Sequence, residues 1–209
     1  MLGDLFGPVD YGEGFALLPG FARGEEAALV AAALSVAAVA PFRVLETPGG
    51  KKMSVAMTNC GAAGWVSDRR GYRYEPADPL TGAPWPAMPE IFADLAARAA
   101  RAAGYDGFAQ DVCLINRYEP GAKLTLHQDT DEADFGSPIV SVSLGLPATF
   151  LWGGAKRADK PMKISLVSGD VAVWGGPARR HFHGIAPVRA GVHPLTGPMR
   201  LNLTFRKAL

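Results

Sequence analysis

Two short segments carry residue types that could do chemistry together: His127-Gln128-Asp129, and His181-Phe182-His183-Gly184 further along the chain. On an extended strand a His-x-Asp pair presents both side chains to one face, because side-chain direction repeats every two residues. One more imidazole from a distant segment makes two His and one carboxylate. That set grips Fe(II) on one face of its octahedron and leaves positions open for a co-substrate and O2. His181 and His183 stand two residues apart, so either could supply the third ligand. The competing reading is a surface His beside the acidic run Asp129, Asp131, Glu132 and Asp134.

A second candidate lies near the C-terminus. In Arg200-Leu201-Asn202-Leu203-Thr204-Phe205-Arg206, a strand would turn Arg200, Asn202, Thr204 and Arg206 to one face and Leu201, Leu203 and Phe205 to the other. Inward-facing arginines are costly unless they meet buried anions. A dicarboxylate supplies two such anions, and a guanidinium matches a carboxylate in bidentate fashion. Alternation alone does not decide whether the polar face looks into a cavity or out to water. Asn116-Arg117-Tyr118 ends another strand shortly before the His-x-Asp pair.

These groups must be held by a scaffold, and the chain reads as β-rich α+β. Gly24 to Ala40 is an Ala-rich helix, expected to be buried, with Glu25 and Glu26 in its first turn and Pro41 as its stop. A second helix runs from about Pro89 to Ala103, with Phe92, Leu95, Ala99 and Ala102 at helical spacing and Gly104 as C-cap. Residues 1–22 read as irregular, and Met53 to Thr58 as extended. Short β-prone runs follow at Val112–Tyr118, Ile139–Gly145, Thr149–Trp152, Ile164–Val167, Asp170–Val173, Phe182–Val188 and Met199–Arg206, punctuated by Gly and Pro. This spacing suggests a sandwich or jelly roll with both helices packed outside. The length of 209 residues suits one domain, 1–209, with no repeat or linker.

Net charge is +1, so there is no global nucleic-acid footprint. Locally, Arg43, Lys51, Lys52, Arg69, Arg70 and Arg73 face only Glu46 and Asp68, a patch that could hold phosphates or simply be a solvated face. Trp65, Tyr72 and Tyr74 are interleaved with these cations, which suits base stacking. Packing in a core or lid would use the same aromatics. Cys60 and Cys113 are too few and too far apart for a disulfide framework or zinc site, which fits a reducing compartment. Met1-Leu2-Gly3-Asp4 lacks a basic n-region, and Ala27 to Ala40 is too short to span a membrane. A cytoplasmic, soluble monomer with no membrane partner is expected.

The spaced motifs together resemble the AlkB family. They are Asn-Arg-Tyr-x-Pro-Gly-Ala-Lys-Leu at 116–124, His-Gln-Asp-x-Asp-Glu at 127–132, Ile-Val-Ser-Val-Ser-Leu-Gly-Leu-Pro at 139–147, His-Gly-Ile at 183–185 and Arg-x-Asn-Leu-Thr-Phe-Arg at 200–206. Thr47 to Gly50, Met53 to Gly61, Trp65, Gly71-Tyr72-x-Tyr74 and Pro84 to Pro89 extend the likeness, which runs from about 41 to 207. The resemblance implies a double-stranded β-helix with two flanking helices, a nucleotide-recognition lid at about 44–80 and a catalytic core at about 110–207. It implies Fe(II) held by His127, Asp129 and His183, since the family's ligand His is followed by Gly. It implies 2-oxoglutarate met by Arg200 and Arg206 with help from Asn116, Tyr118 and Asn202, and O2 as the other co-substrate. Trp65, Tyr72 and Tyr74, with Asp131 and Arg157 near the base, would bind the substrate. The reaction implied is oxidative demethylation of N-alkylated bases such as 1-methyladenine and 3-methylcytosine, releasing formaldehyde. The partner would be single-stranded or base-flipped DNA, or RNA. A dioxygenase acting on RNA or protein is the alternative, and a non-catalytic nucleic-acid-binding β-barrel a more distant one.

Overall fold

The structure, a computed structural model, describes residues 7–12 and 14–209. Its first half contains β1 (Val9–Asp10), β2 (Phe15–Leu18), α1 (Glu26–Val39), β3 (Arg43–Glu46), β4 (Lys52–Gly61), β5 (Gly64–Asp68), β6 (Gly71–Glu75) and α2 (Glu90–Ala102). The second half contains β7 (Val112–Tyr118), β8 (Leu124–His127), β9 (Ile139–Gly145), β10 (Ala148–Trp152), β11 (Met162–Leu166), β12 (Val171–Trp174), β13 (His183–Ile185) and β14 (Arg200–Arg206).

Three sheets organise these strands. The large one runs β1-β2-β12-β9-β14-β7-β4-β3, a smaller one runs β11-β10-β13-β8, and β5-β6 is a separate hairpin. The large and small sheets face each other, so the expected jelly roll with two helices outside it is what the chain forms. Because the large sheet is covered on both sides, β14 is buried along its whole length and both of its faces have work. Leu201, Leu203 and Phe205 join Phe92, Leu95 and Ala99 of α2 and Leu29, Ala33 and Val36 of α1 in one core layer. The polar face of β14 looks the other way, into the space between the sheets. That space also holds a second apolar layer, including Phe15, Leu114, Phe150, Trp152, Ile164 and Trp174. The two-faced strand is therefore the boundary between a structural core and a site.

The helices follow local rules. Glu90 and Arg101 sit at the ends of α2 where the helix dipole favours their charges, and Gly104 (φ 86°) closes it in the left-handed conformation that side chains resist. In α1 only Leu29, Val30, Ala33 and Val36 are buried, whereas Leu34 and Val39 are exposed. The expectation of a buried helix is thus corrected to a half-buried one.

Other differences have physical causes. Residues 1–22 are not wholly irregular: Phe15-Ala16-Leu17-Leu18 is a strand paired with β12. It lacks alternation because the sheet is enclosed on both faces there, and alternation is the usual sign of a strand. β8 is short and half-exposed, so its sequence carries little strand signal. β13 is shorter than Phe182–Val188 because its pairing with β8 shifts register between His183 and Ile185, and Pro187 cannot donate to a ladder. Cys60 and Cys113, far apart in sequence, are directly opposed on β4 and β7, buried and unbridged. Among the described residues, no helix is long and apolar enough to cross a membrane.

Leu203 is completely buried between β14 and the helices. Leu203→Ala is expected to cost about 2–5 kcal/mol through lost burial and the cavity left behind. Denaturant unfolding measures this, and a loss below about 1 kcal/mol would show that the layer is not tightly packed.

Candidate metal centre and active site

The two candidate histidine ligands are cross-strand partners: His183 on β13 lies opposite His127 on β8, with ring centroids 4.4 Å apart. Asp129 follows two residues after His127, just past the end of β8. Ligating atoms of the three residues all lie within 4.8 Å of one another, and no other such group of three or more occurs among the described residues. Gly184 explains how the strands come this close. A Cβ at that position would sit 2.6 Å from the Leu124 carbonyl oxygen, inside the backbone of β8.

Hydrogen bonds select which nitrogen each imidazole offers. His127 Nδ1–H donates to Thr125 O at 2.9 Å, and His183 Nδ1–H donates to His181 O at 3.0 Å. Each Nε2 therefore carries its lone pair into the site. His127 Nε2 lies 3.8 Å from Asp129 Oδ1, and His183 Nε2 lies 3.3 Å from Asp129 Oδ2, which has no hydrogen-bond donor. Electron-rich atoms converging without a proton between them repel, and a cation reverses that. Desolvation, followed by the neighbouring His183, pushes His127 down to about 4, so its ring is neutral and ready to ligate near pH 7. Burial alone would raise the Asp129 carboxyl, but Arg206 and then His183 outweigh it and hold the group well below the usual carboxylate range.

The polar face of β14 continues the site. Arg206 Nη2 donates to Asp129 Oδ1 at 2.9 Å, and its Nε lies 3.2 Å from Glu132 Oε1. Arg200 is almost wholly buried, packs over the Tyr118 ring at 4.9 Å and donates to Ser143 Oγ at 3.0 Å. No carboxylate among the described residues pairs with it. Its Nε and Nη1, Nη1 of Arg206 and Oδ1 of Asn116 are buried without hydrogen-bond partners. Burial lowers the Arg200 pKa, and Tyr118 only partly offsets this. Asn116 Nδ2 donates to Asn202 Oδ1, which also accepts from Thr204 Oγ1, while Asn202 Nδ2 donates to Ser141 Oγ. Two guanidiniums with spare N–H groups, set in a polar strip beside the His/Asp cluster, fit a dicarboxylate.

A cavity of about 700 Å³ joins these groups to the surface, a size suited to a substrate as well as a co-substrate. His127, Asp129, His183, Asn116, Tyr118, Arg200, Asn202 and Arg206 all line it, as do Trp65, Tyr72 and Asp131. Trp65 and Tyr72, on the β5–β6 hairpin, stack at 5.5 Å between centroids, and Trp65 Nε1 donates to Asp131 Oδ2 at 2.8 Å. Tyr74 and Arg157 lie elsewhere. Tyr74 is turned into the fold and donates its hydroxyl to Glu132 Oε1 at 2.7 Å, and Arg157 sits over the Phe182 ring in the exposed β10–β11 connection. His181 packs at a tilt against Trp152 rather than joining the cluster, and His193 lies in an isolated bridge with Gly197.

Sequence reading missed Glu132 and Arg179. Glu132 is buried and takes Arg179 Nη2 at 3.2 Å in addition to Tyr74 and Arg206, while Arg179 Nη1 also donates to Asp129 O. No sequence spacing links them. Ser141 and Ser143 were also missed, although their alternation with Val140, Val142 and Leu144 matches the polar face of β14 and could have been read.

Comparison with known proteins agrees with this geometry. Residues 14–206 match the model of the 2OG-Fe(II) oxygenase superfamily. The alpha-ketoglutarate-dependent dioxygenase AlkB of Salmonella typhimurium is 60% identical over 173 residues, covering 83% of this chain and 80% of that one. The protein of the same name from Escherichia coli is 57% identical over 195 residues, covering 93% and 90%. The chain belongs to the AlkB family of 2OG-Fe(II) oxygenases. Its fold superposes on the solved structure of OsALKBH1 with a TM-score of 0.85 at 31% identity, over 96% of this chain and 99% of that one. It is an Fe(II)- and 2-oxoglutarate-dependent dioxygenase, with O2 as the second co-substrate.

Two outcomes follow from the site geometry. Gly184→Ala drives a methyl group into β8, so Fe(II) affinity should fall at least about tenfold, comparable to losing a group that orients a ligand; titration followed by protein-bound iron analysis checks it, and unchanged affinity would contradict the close approach. The second concerns pH. Because the folded pKa of His127 is depressed below its unfolded value, the unfolded chain binds more protons between about pH 6.5 and about 4. The metal-free enzyme should therefore lose stability as pH falls through that window, and His127→Asn should flatten the loss in thermal melts.

Proposed function

We propose that this enzyme removes methyl groups from the ring nitrogens of alkylated nucleobases, 1-methyladenine and 3-methylcytosine among them, in single-stranded or base-flipped DNA, and in RNA as a second substrate. The observation that carries the reading is the stacked Trp65–Tyr72 pair lining the same cavity as the His127/Asp129/His183 cluster. Flat aromatic faces hold a base of any sequence by stacking. A base within a duplex cannot present its N-methyl group at the foot of this cavity, so an extruded or unpaired base is required.

In the reaction, 2-oxoglutarate and O2 are consumed, succinate and CO2 are formed, and the methyl carbon leaves as formaldehyde after hydroxylation. His127, Asp129 and His183 would hold Fe(II), which when bound supplies the oxygen activation. Arg206, in contact with Asp129, would meet the carboxylate nearer the metal. Arg200, farther along β14, would meet the other, and Asn116 and Tyr118 would add polar contacts to the same co-substrate. Asp131 places a carboxylate beside the stacked rings, which favours a cationic methylated base over its neutral parent. The hairpin β5–β6 would act as a lid: it closes over the base and excludes water from the site. This rests on Trp65 and Tyr72; the position of Tyr74 suits holding the hairpin in place, and Arg157 lies where nucleic acid outside the cavity could reach it.

A single-stranded oligonucleotide containing one 1-methyladenine should be demethylated with equimolar formaldehyde, and only when Fe(II), 2-oxoglutarate and O2 are all present. Matched DNA, RNA and methylated-peptide substrates at equal concentration separate the alternatives. Intact methylated base in both nucleic acids, with iron bound to the protein, would sink the proposal.

A further inference from the structure

The basic run between Arg43 and Arg73 divides in space into two classes of charge. Its arginines are engaged within the protein. Arg43 donates to Asp78 at 2.8 Å, Arg73 to Asp68 at 3.0 Å and also to Glu75, Arg70 to Asp68 at 3.1 Å, and Arg69 to Glu46 at 3.3 Å. These pairs brace the β5–β6 hairpin and the turn beyond it. The lysines are different. Lys51 and Lys52 are exposed, line the mouth of the active-site cavity and have no carboxylate within ion-pair distance among the described residues. Glu46 lies opposite Lys52 in the β3–β4 pairing, but its carboxylate is turned to Arg69.

A third lysine joins them from a distant part of the chain. Lys123, also exposed and without an ion pair among the described residues, lines the same mouth. Ser54 fixes its position: Ser54 Oγ donates to Lys123 O at 2.8 Å and accepts from Lys123 N at 3.0 Å. Lys52 and Ser54 are two residues apart on β4 and both line the cavity, so the tie brings the Lys123 backbone to the segment that carries Lys52. The Lys51 end is held by its turn, where Thr47 N donates to Lys51 O and Lys51 N donates to Thr47 Oγ1. Ordered backbone thus presents three unneutralised ammonium groups beside the opening through which a base must enter.

Resting on the nucleobase reading above, we infer that Lys51, Lys52 and Lys123 form a phosphate-binding rim that holds the sugar-phosphate chain next to the extruded base. The arginines of the basic run serve the fold instead. Lysine suits such a rim, because a compact, mobile charge on a flexible stem follows phosphates without demanding one base sequence.

The rim is tested by the salt dependence of binding, read by fluorescence anisotropy with a labelled single-stranded oligonucleotide carrying 1-methyladenine and the Fe(II)- and 2-oxoglutarate-loaded enzyme kept free of O2. Each phosphate contact on a single strand contributes about 0.7 to the slope of log K against log salt. The triple variant Lys51→Gln/Lys52→Gln/Lys123→Gln should therefore lose about 2 from that slope. Lys163→Gln, on β11 and outside the cavity lining, removes one charge elsewhere and should leave the slope unchanged. An unchanged slope in the triple variant, or a Lys163→Gln effect as large per charge, overturns the rim. If the unsubstituted enzyme neither binds nor demethylates the oligonucleotide, the nucleobase reading fails and takes the rim with it. Binding and demethylation with an unchanged triple-variant slope defeat the rim alone.

Discussion

Two guanidinium groups lie buried on β14, in the interior of the large sheet, at the inner end of the cavity. A buried charge without a partner costs several kcal/mol, so the surroundings of Arg200 and Arg206 must be arranged around anions and polar groups. Arg206 is met from within the chain by Asp129 and Glu132, and Glu132 is met in turn by Arg179. Arg200 has only Ser143 and the face of Tyr118 among the described residues. Arg206 is thus paired within the chain through part of its guanidinium, whereas Arg200 has no carboxylate partner among the described residues, and both keep N–H groups without hydrogen-bond partners. One strand therefore packs the core with one face and lines the cavity with the other.

The same charges reach the hairpin over the cavity. Asp131 and Glu132 are adjacent, and their side chains diverge: Asp131 lines the cavity and takes Trp65 Nε1, whereas Glu132 is buried and takes the Tyr74 hydroxyl. Both bonds fasten β5–β6 to the segment that carries Asp129. The hairpin is thereby joined directly to the loop behind the metal site, and Glu132 connects that loop to Arg206. Burial raises the Tyr74 pKa, so the phenol stays protonated and remains a donor to Glu132.

How much of this was legible depended on whether chemistry and spacing were local. His127 and Asp129 are an i, i+2 pair, and β14 alternates cleanly, so both were visible in the sequence. Which face of β14 points inward was not, because the answer is that both are buried, one by the helices and one by the opposite sheet. The strand Phe15–Leu18 was hidden for the same reason. Glu132–Arg179 and Cys60–Cys113 come together only through topology, and no pattern along the chain announces them. The basic run misled in the other direction: its sequence shows cations in excess, but Asp78 and Glu75 return to neutralise arginines that looked available. Family resemblance chose His183 over His181, and the geometry gives a reason, since His181 faces Trp152 while only His183 meets Asp129.

Placement of the ligands ultimately depends on backbone register. His127 and His183 face each other only because β8 and β13 pair at those residues, and each ring is oriented by a carbonyl two residues earlier on its own chain segment. A slip of one residue would turn one imidazole to the opposite face of the sheet. The irregularity between His183 and Ile185 sits beside the ligand, and Gly184 permits the approach that it requires. Side chains can be replaced by others of similar reach, but a backbone contact of this kind tolerates no Cβ. The glycine after the ligand histidine is accordingly part of the metal site, although it offers the metal nothing.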